Sequence, residues 1–216
     1  MDDAYVTKIL TAYNERMYEI TVRKEVIDAL REGERTTGYK GTNTEVIALN
    51  FRKTAEIIVY ANLAGHEVEY ANLYPGYQHH WRIEGIIEKI KAFNPNYYPR
   101  AVEVADEKVN GSRKITDVPD GLWMTENELI EMYKICGDLL HASTPFNPPV
   151  DIEKYEALFD DWSVKLVRLL NNHIVELADG KHAILTQMAT IEEGTPNSVF
   201  MGPKTPIVTK TENPQS

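Results

Sequence analysis

The sequence is poor in the features that mark exported or membrane-spanning proteins. Its 216 residues include one cysteine, so no disulfide can form within the chain. It does not open with a charged segment followed by an apolar one, as a secretory leader would, and we expect a cytoplasmic protein. The most apolar stretch, residues 45–64, is interrupted by polar and charged side chains. We therefore expect no membrane-spanning helix and no membrane partner.

Positive charge is also scarce. The chain has 23 lysine and arginine residues against 33 aspartate and glutamate residues, a formal net charge of −10. Such a chain repels nucleic-acid phosphates at long range, so any binding of RNA would need a local basic patch. The basic residues form isolated pairs such as Arg52-Lys53 and Arg113-Lys114, which we interpret mainly as solvated or ion-paired side chains.

The common catalytic motifs are missing as well. The sequence has no P-loop, no glycine-rich dinucleotide fingerprint, no Cys-x-x-Cys, no His-Glu-x-x-His and no Gly-x-Ser-x-Gly. His79 and His80 are adjacent, and on a helix they would point about 100° apart, which makes it difficult for both to bind one metal ion. We therefore expect neither a cofactor nor a metal ion.

Helical periodicity is the strongest positive signal. The second helical segment, near residues 42–65, is apolar on several sides and is predicted to be central, with Thr42, Asn43 or Thr44 as its cap. Thr125 and Glu128 match a capping box. The pattern predicts a bundle of four to five helices, with main segments at about residues 3–30, 42–65, 79–93, 125–142 and 151–170 and a short piece at 67–73.

Strand signals follow the helical ones. Residues 97–118 are predicted to be extended, with Asn110-Gly111 as a turn. Residues 172–190 form two β-rich runs around Asp179-Gly180, which is typical of a hairpin, and residues 198–201 suggest a third strand. The predicted fold is α+β and predominantly α: one domain, residues 1–202, with a small C-terminal antiparallel hairpin or sheet, followed by a flexible tail at 203–216.

The stretch around Cys136 contains one candidate site. Cys136 falls on the apolar face of its helix, where a cysteine behaves as a small hydrophobic residue. His141 lies about 140° away around the same helix, so the two cannot form a dyad within it. Lys134, Asp138 and His141 can share one face around Gly137, whose missing side chain leaves room for a close approach. That pattern predicts a polar site, and the alternative is that His141 stabilises its own helix end.

A second candidate pair lies on the central helix. Arg52 and Glu56 are four residues apart, and charges on a buried helix cost desolvation energy unless they are matched. The pair therefore either fixes the packing or lines a cavity. In the second case Arg52 would clamp the carboxylate or phosphate of a small ligand, with Glu56 and Asp138 as further ligand-binding residues.

The segment from Arg168 to His173 fits the pattern Arg-x4-His near the end of a helix. On this motif and the helical architecture, the chain resembles the HEPN (higher eukaryotes and prokaryotes nucleotide-binding) superfamily. The resemblance implies a dimeric, metal-independent ribonuclease of a toxin–antitoxin or phage-defence system. Arg168 would stabilise charge on the phosphate and His173 would transfer protons. Lys134 and His141 have a similar helical phase, with lysine in place of arginine.

Three functions remain open from the sequence. The first is a HEPN-like ribonuclease or a degenerate RNA-binding relative, acting as a homodimer, with His141 or His173 as the proton-transfer group and Arg168, Lys134 or Arg52 on the phosphate. The second is a non-enzymatic module for protein interaction or oligomerisation. The third is a bundle that binds a small anionic ligand. The segments LNFRKTAEII, NPNYYP and CGDLLHASTPF are also similar to uncharacterised proteins of bacteria and mobile elements.

Overall fold

The structure is a computed structural model that describes residues 2–109, 112–142, 144, 146, 150–188 and 195–203. Within these ranges the chain forms six α-helices and five strands of one antiparallel sheet. The α+β class with predominant helix is confirmed, and the six helices correspond to the five main segments and the short piece that the periodicity predicted. The predicted turn at Asn110-Gly111, most of the linker after His141 and the tail from residue 204 lie outside the described residues.

Along the chain, four helices are followed by two strands, and two further helices by three strands. The helices are α1 (Asp3–Arg31), α2 (Lys40–Gly65), α3 (Glu67–Leu73), α4 (Ile83–Lys91), α5 (Glu126–Leu140) and α6 (Ile152–Leu170). The strands are β1 (Arg100–Val109), β2 (Ser112–Asp117), β3 (Asn172–Glu176), β4 (Ala183–Gln187) and β5 (Asn197–Met201).

Helix α2 is the central element, as its sequence predicted. It is buried on several sides and packs against α1, α4, α5 and α6. The predicted cap is wrong, however, because the helix begins at Lys40, after Tyr39, whose side chain makes no capping bond. The Asn43 side chain instead accepts a hydrogen bond from the Thr37 N–H at 2.7 Å, so it organises the preceding loop.

The predicted starts of α5 and α6 are confirmed. The Thr125 hydroxyl accepts a bond from the Glu128 N–H, and the Glu128 carboxylate accepts one from the Thr125 N–H, which completes the capping box. Asp151 accepts a bond from the Lys154 N–H at the start of α6. Local side-chain chemistry therefore sets where both helices begin.

Helix α4 starts later than the periodicity indicated. The sequence predicted a helix from His79, whereas the chain forms a single 3-10 turn at Tyr77–His79, and α4 begins at Ile83. His80 and Arg82 are extended between them, with φ near −80° and ψ of 118°. Side-chain bonds to this segment, described below, hold it out of the helix.

The five strands form one sheet in the order β2-β1-β3-β4-β5, all antiparallel. The predicted hairpin around Asp179-Gly180 is confirmed as β3 and β4, and the third C-terminal strand as β5. Strand β1 joins β3 at Arg100 and Ala101, so the earlier extended segment belongs to the same sheet. No helix in the described residues is long and apolar enough to cross a membrane.

Candidate functional site

The predicted polar face of α5 lies in solvent. Lys134, Asp138 and His141 are all exposed, and His141 caps the helix, with its N–H donating to the Asp138 carbonyl at 3.3 Å. Among the described residues, their side chains make no hydrogen bond or ion pair to another element. The structure therefore leaves these three groups exposed to solvent at the C-terminal end of α5.

Cys136 points the other way, into the core. It is fully buried, and this burial raises the pKa of its thiol to about 12. A thiol with so high a pKa remains protonated at neutral pH and is a poor nucleophile. The prediction of a small hydrophobic side chain at this position is confirmed.

Arg52 links α2 to α5 through Tyr133. Its Nη2 donates to the Tyr133 hydroxyl at 2.6 Å and its Nη1 to the Tyr133 carbonyl at 3.3 Å. The guanidinium carbon also lies 3.9 Å from the centroid of the Tyr133 ring. Glu56 lies 3.7 Å from Arg52 Nε and accepts a bond from Lys53 at 2.7 Å. We call Arg52, Glu56 and Tyr133 the α2–α5 seam.

The seam explains the glycine inside α5. A β-carbon at Gly137 would overlap the Arg52 guanidinium, so the missing side chain gives Arg52 access to a helix carbonyl. Since Arg52 is already bonded to Tyr133 and is only 26% exposed, the geometry favours a packing role over the predicted clamp on an anionic ligand. Asp138 is exposed on α5 and is not part of the seam.

Replacing Gly137 by alanine should have opposite effects in two backgrounds. In the wild-type chain the new methyl group displaces Arg52, and the lost hydrogen bonds outweigh a helix-propensity gain of about 1 kcal/mol, so stability falls slightly. In an Arg52→Met background the same change should raise the free energy of unfolding by about 1 kcal/mol. Urea denaturation of the four proteins measures both effects, and the same sign in both backgrounds would contradict the contact.

The structure does not bring Arg168 and His173 to one surface. Arg168 is exposed in the last turn of α6, with Nη1 3.4 Å from the Leu122 carbonyl oxygen. His173 is fully buried in β3. Its Nδ1 lies 2.8 Å from the Leu170 carbonyl oxygen, so Nδ1 carries the proton and donates. Its Nε2, 2.8 Å from the Tyr13 hydroxyl, accepts from that hydroxyl.

Burial decides the charge of this histidine. Loss of solvent lowers the pKa of His173 to about 4, and it raises the pKa of the Tyr13 hydroxyl. Both groups are therefore neutral and fully bonded to each other and to the backbone near neutral pH. Such a histidine fixes α1 to the sheet, and it has no exposed atom with which to reach an RNA phosphate.

A surface that the sequence did not predict lies between α3 and α4. We call residues 74–82 the Trp81 loop. The Tyr60 hydroxyl, from α2, donates to the Trp81 carbonyl at 3.1 Å. The Tyr70 hydroxyl, from α3, bonds to His80 Nδ1 at 3.0 Å. These two bonds hold the backbone before α4 in its extended form.

Two further tyrosines of the same region are tied at their hydroxyl ends. Tyr77 donates to Glu67 Oε1 at 3.2 Å, and Tyr74 donates to the Lys89 carbonyl at 3.4 Å. The loop is thus bonded to α2, α3 and α4 by four tyrosine hydroxyls. An irregular segment with so many anchors is expected to be stiff, because each bond restricts its backbone.

The loop presents its tryptophan to solvent. The Trp81 side chain is 62% exposed, and the Arg82 guanidinium lies 5.0 Å from its ring centroid. Leu73 and Val68 of α3, directly before the loop, are also exposed. The signal in the sequence is the density of aromatic residues over 60–81, a range in which periodicity predicts only helical segments that end at 65, span 67–73 and begin at 79.

Comparison with protein-family models, with curated proteins and with solved structures found no match.

Proposed function

We propose that this chain is a self-associating interaction protein and that two copies meet through the Trp81 loop. The observation that carries the proposal is a solvent-exposed tryptophan on a loop held by four tyrosine hydroxyls. Tryptophan, tyrosine and arginine dominate the binding energy of protein interfaces, and all three occur here. A loop that is already ordered loses little conformational freedom when it is covered.

The charge around Trp81 suits a second copy of the same chain. At a net charge of −10, two copies repel each other at long range, so they need a contact face that is not acidic. Arg82 lies against the Trp81 ring and Lys89 Nζ lies 3.4 Å from His80 Nε2, while Glu69 and Glu84 belong to the flanking helices α3 and α4. A two-fold contact places one patch against itself, and a patch with both signs can meet its copy without opposing like charges.

Light scattering across a concentration series tests the proposal. The mass should rise from that of one chain toward twice that value between micromolar and submillimolar concentrations, and added salt should favour the dimer, because it screens the repulsion between two chains of net charge −10. A mass that stays at one chain throughout this range would overturn self-association.

One observation favours a second candidate function, a HEPN-like protein that acts on RNA in the cytoplasm, in a bacterial defence or toxin–antitoxin setting. Lys134, Asp138 and His141 are exposed together on α5. In this alternative the lysine contacts a phosphate and His141 transfers a proton, and the surface opposite them comes from a second copy. The buried His173 takes no part.

The expected result for this alternative is cleavage of RNA by the purified protein in the presence of a chelator. His141→Ala and Lys134→Met should each reduce the cleavage rate by at least about 100-fold, since general acid–base catalysis contributes about that much. Arg168→Met is the matched control for loss of an exposed positive charge and should cleave normally. Equal rates for wild type and His141→Ala would exclude this function.

A further inference from the structure

Helices α1, α2 and α6, together with Asn171 and Met188, line an apolar pocket of about 250 Å³ that is open to solvent on one side. α1 and α6 both pack on α2, which contributes Phe51 and Thr54 to the lining. None of the lining residues belongs to α5 or to the Trp81 loop. The apolar lining consists of Ile20, Ile27, Phe51, Leu166, Val167, Leu170 and Met188.

Contacts next to the pocket join the helices that line it. Arg31 of α1 forms an ion pair with Asp160 and donates to the Ser163 hydroxyl at 3.3 Å, so it fixes α1 against α6. The Phe51 ring stacks on Phe159 with 5.3 Å between centroids. Pockets that bind small molecules are usually formed before the ligand arrives, and helical bundles often hold them between helices.

Water is a poor occupant of this space. A volume of about 250 Å³ has room for several water molecules. The Thr21 and Thr54 hydroxyls already donate to the backbone of their own helices, to the Met17 and Asn50 carbonyls. Apolar walls with few free donors bind water weakly, so an apolar ligand gains free energy by displacing it.

The charge of the lining indicates which end group the ligand carries. Lys24 is the charged residue among those that line the pocket, and its side chain is 53% exposed. Its ammonium group pairs with Asp28 at 2.5 Å on the same helix. An exposed pair of this kind is weak, so a ligand carboxylate can share or replace Asp28 at low cost.

We propose that this pocket binds a medium-chain carboxylic acid of about eight carbons, with its chain between α1 and α6 and its carboxylate at Lys24. The size of the pocket sets the chain length, the apolar lining selects a hydrocarbon, and Lys24 selects the acid. The pocket contains no residue of the Trp81 loop or of α5, so the result of its test does not depend on self-association.

Isothermal titration with octanoate and with octanol tests both the binding of the hydrocarbon chain in the pocket and the binding of the carboxylate at Lys24. Octanoate should bind with a dissociation constant below about 1 mM. Val167→Trp places a larger side chain in the pocket at a position that is partly exposed, so the core need not rearrange. It should weaken binding at least about tenfold. Val164→Trp is the matched control, because Val164 is 53% exposed on the same helix and does not line the pocket.

Lys24→Gln separates the acid group from the chain. It should weaken octanoate binding about threefold and leave octanol binding unchanged. Absence of saturable binding, or equal binding to the Val164→Trp and Val167→Trp variants, overturns the site. Equal effects of Lys24→Gln on octanoate and octanol overturn the role of Lys24. Circular dichroism of each variant confirms that it is folded before titration.

Discussion

Between pH 6.5 and pH 4, His173 alone should lower the free energy of unfolding by about 3 kcal/mol. The unfolded chain binds a proton at His173 below pH 6.5, whereas the folded chain keeps this ring neutral down to about pH 4. The full contribution is therefore present above pH 6.5, and it is lost progressively as the pH falls. Burial also lowers the pKa of His66, which adds to the fall in the same direction.

Two matched variants isolate the contribution of His173. His173→Gln removes the titrating group and should flatten the fall between neutral pH and pH 4, although it should also lower stability at pH 7 through imperfect bonding to Tyr13. His141→Gln is the control, because it makes the same substitution at an exposed histidine. Carboxylates titrate in all three proteins and cancel in the comparison. Urea denaturation at several pH values measures the slopes, and identical slopes for His173→Gln and wild type would contradict the buried pair.

Replacing Trp81 by serine should raise the dissociation constant of the proposed dimer at least about 30-fold, the effect of losing one central aromatic residue worth about 2 kcal/mol. Trp81 is largely exposed and contributes little to the core, so the folded monomer should be as stable as wild type. Sedimentation equilibrium measures the dissociation constant, and thermal denaturation of the dilute protein checks the monomer.

Two further variants separate the tryptophan from general loss of surface and from loop stiffness. Tyr39→Ser removes a side chain that is 77% exposed before α2 and should leave the dimer unchanged. Tyr60→Phe removes the bond to the Trp81 carbonyl without altering the exposed face, and should weaken association about threefold by loosening the loop. Equal association of Trp81→Ser and wild type would place the contact elsewhere.

Features encoded over a few neighbouring residues could be predicted from the sequence. The Thr125 capping box, the Asp179-Gly180 hairpin and the buried Cys136 each follow from local chemistry or helical phase. The central position of α2 followed from its apolar residues on several sides. These predictions depend on periodicity and turn chemistry, which act over one or two turns of chain.

The surroundings of the candidate sites could not be predicted in the same way. The partner of His173 is Tyr13, 160 residues away, and the partner of Arg52 is Tyr133, 81 residues away. Periodicity and turn chemistry act between near neighbours in the sequence, so they cannot indicate contacts between such distant residues. The Trp81 loop was missed because its conformation comes from tyrosine hydroxyl bonds that join it to three separate helices, whereas periodicity alone extended α4 back to His79.

Hydroxyl-radical footprinting of the wild-type protein at low and high concentration tests the central claim most directly. Oxidation at Trp81 should fall as the mass approaches two chains, whereas oxidation at Tyr39, which is more exposed than Trp81, should stay constant. The account would be contradicted if the mass doubled while Trp81 remained as reactive as in the monomer.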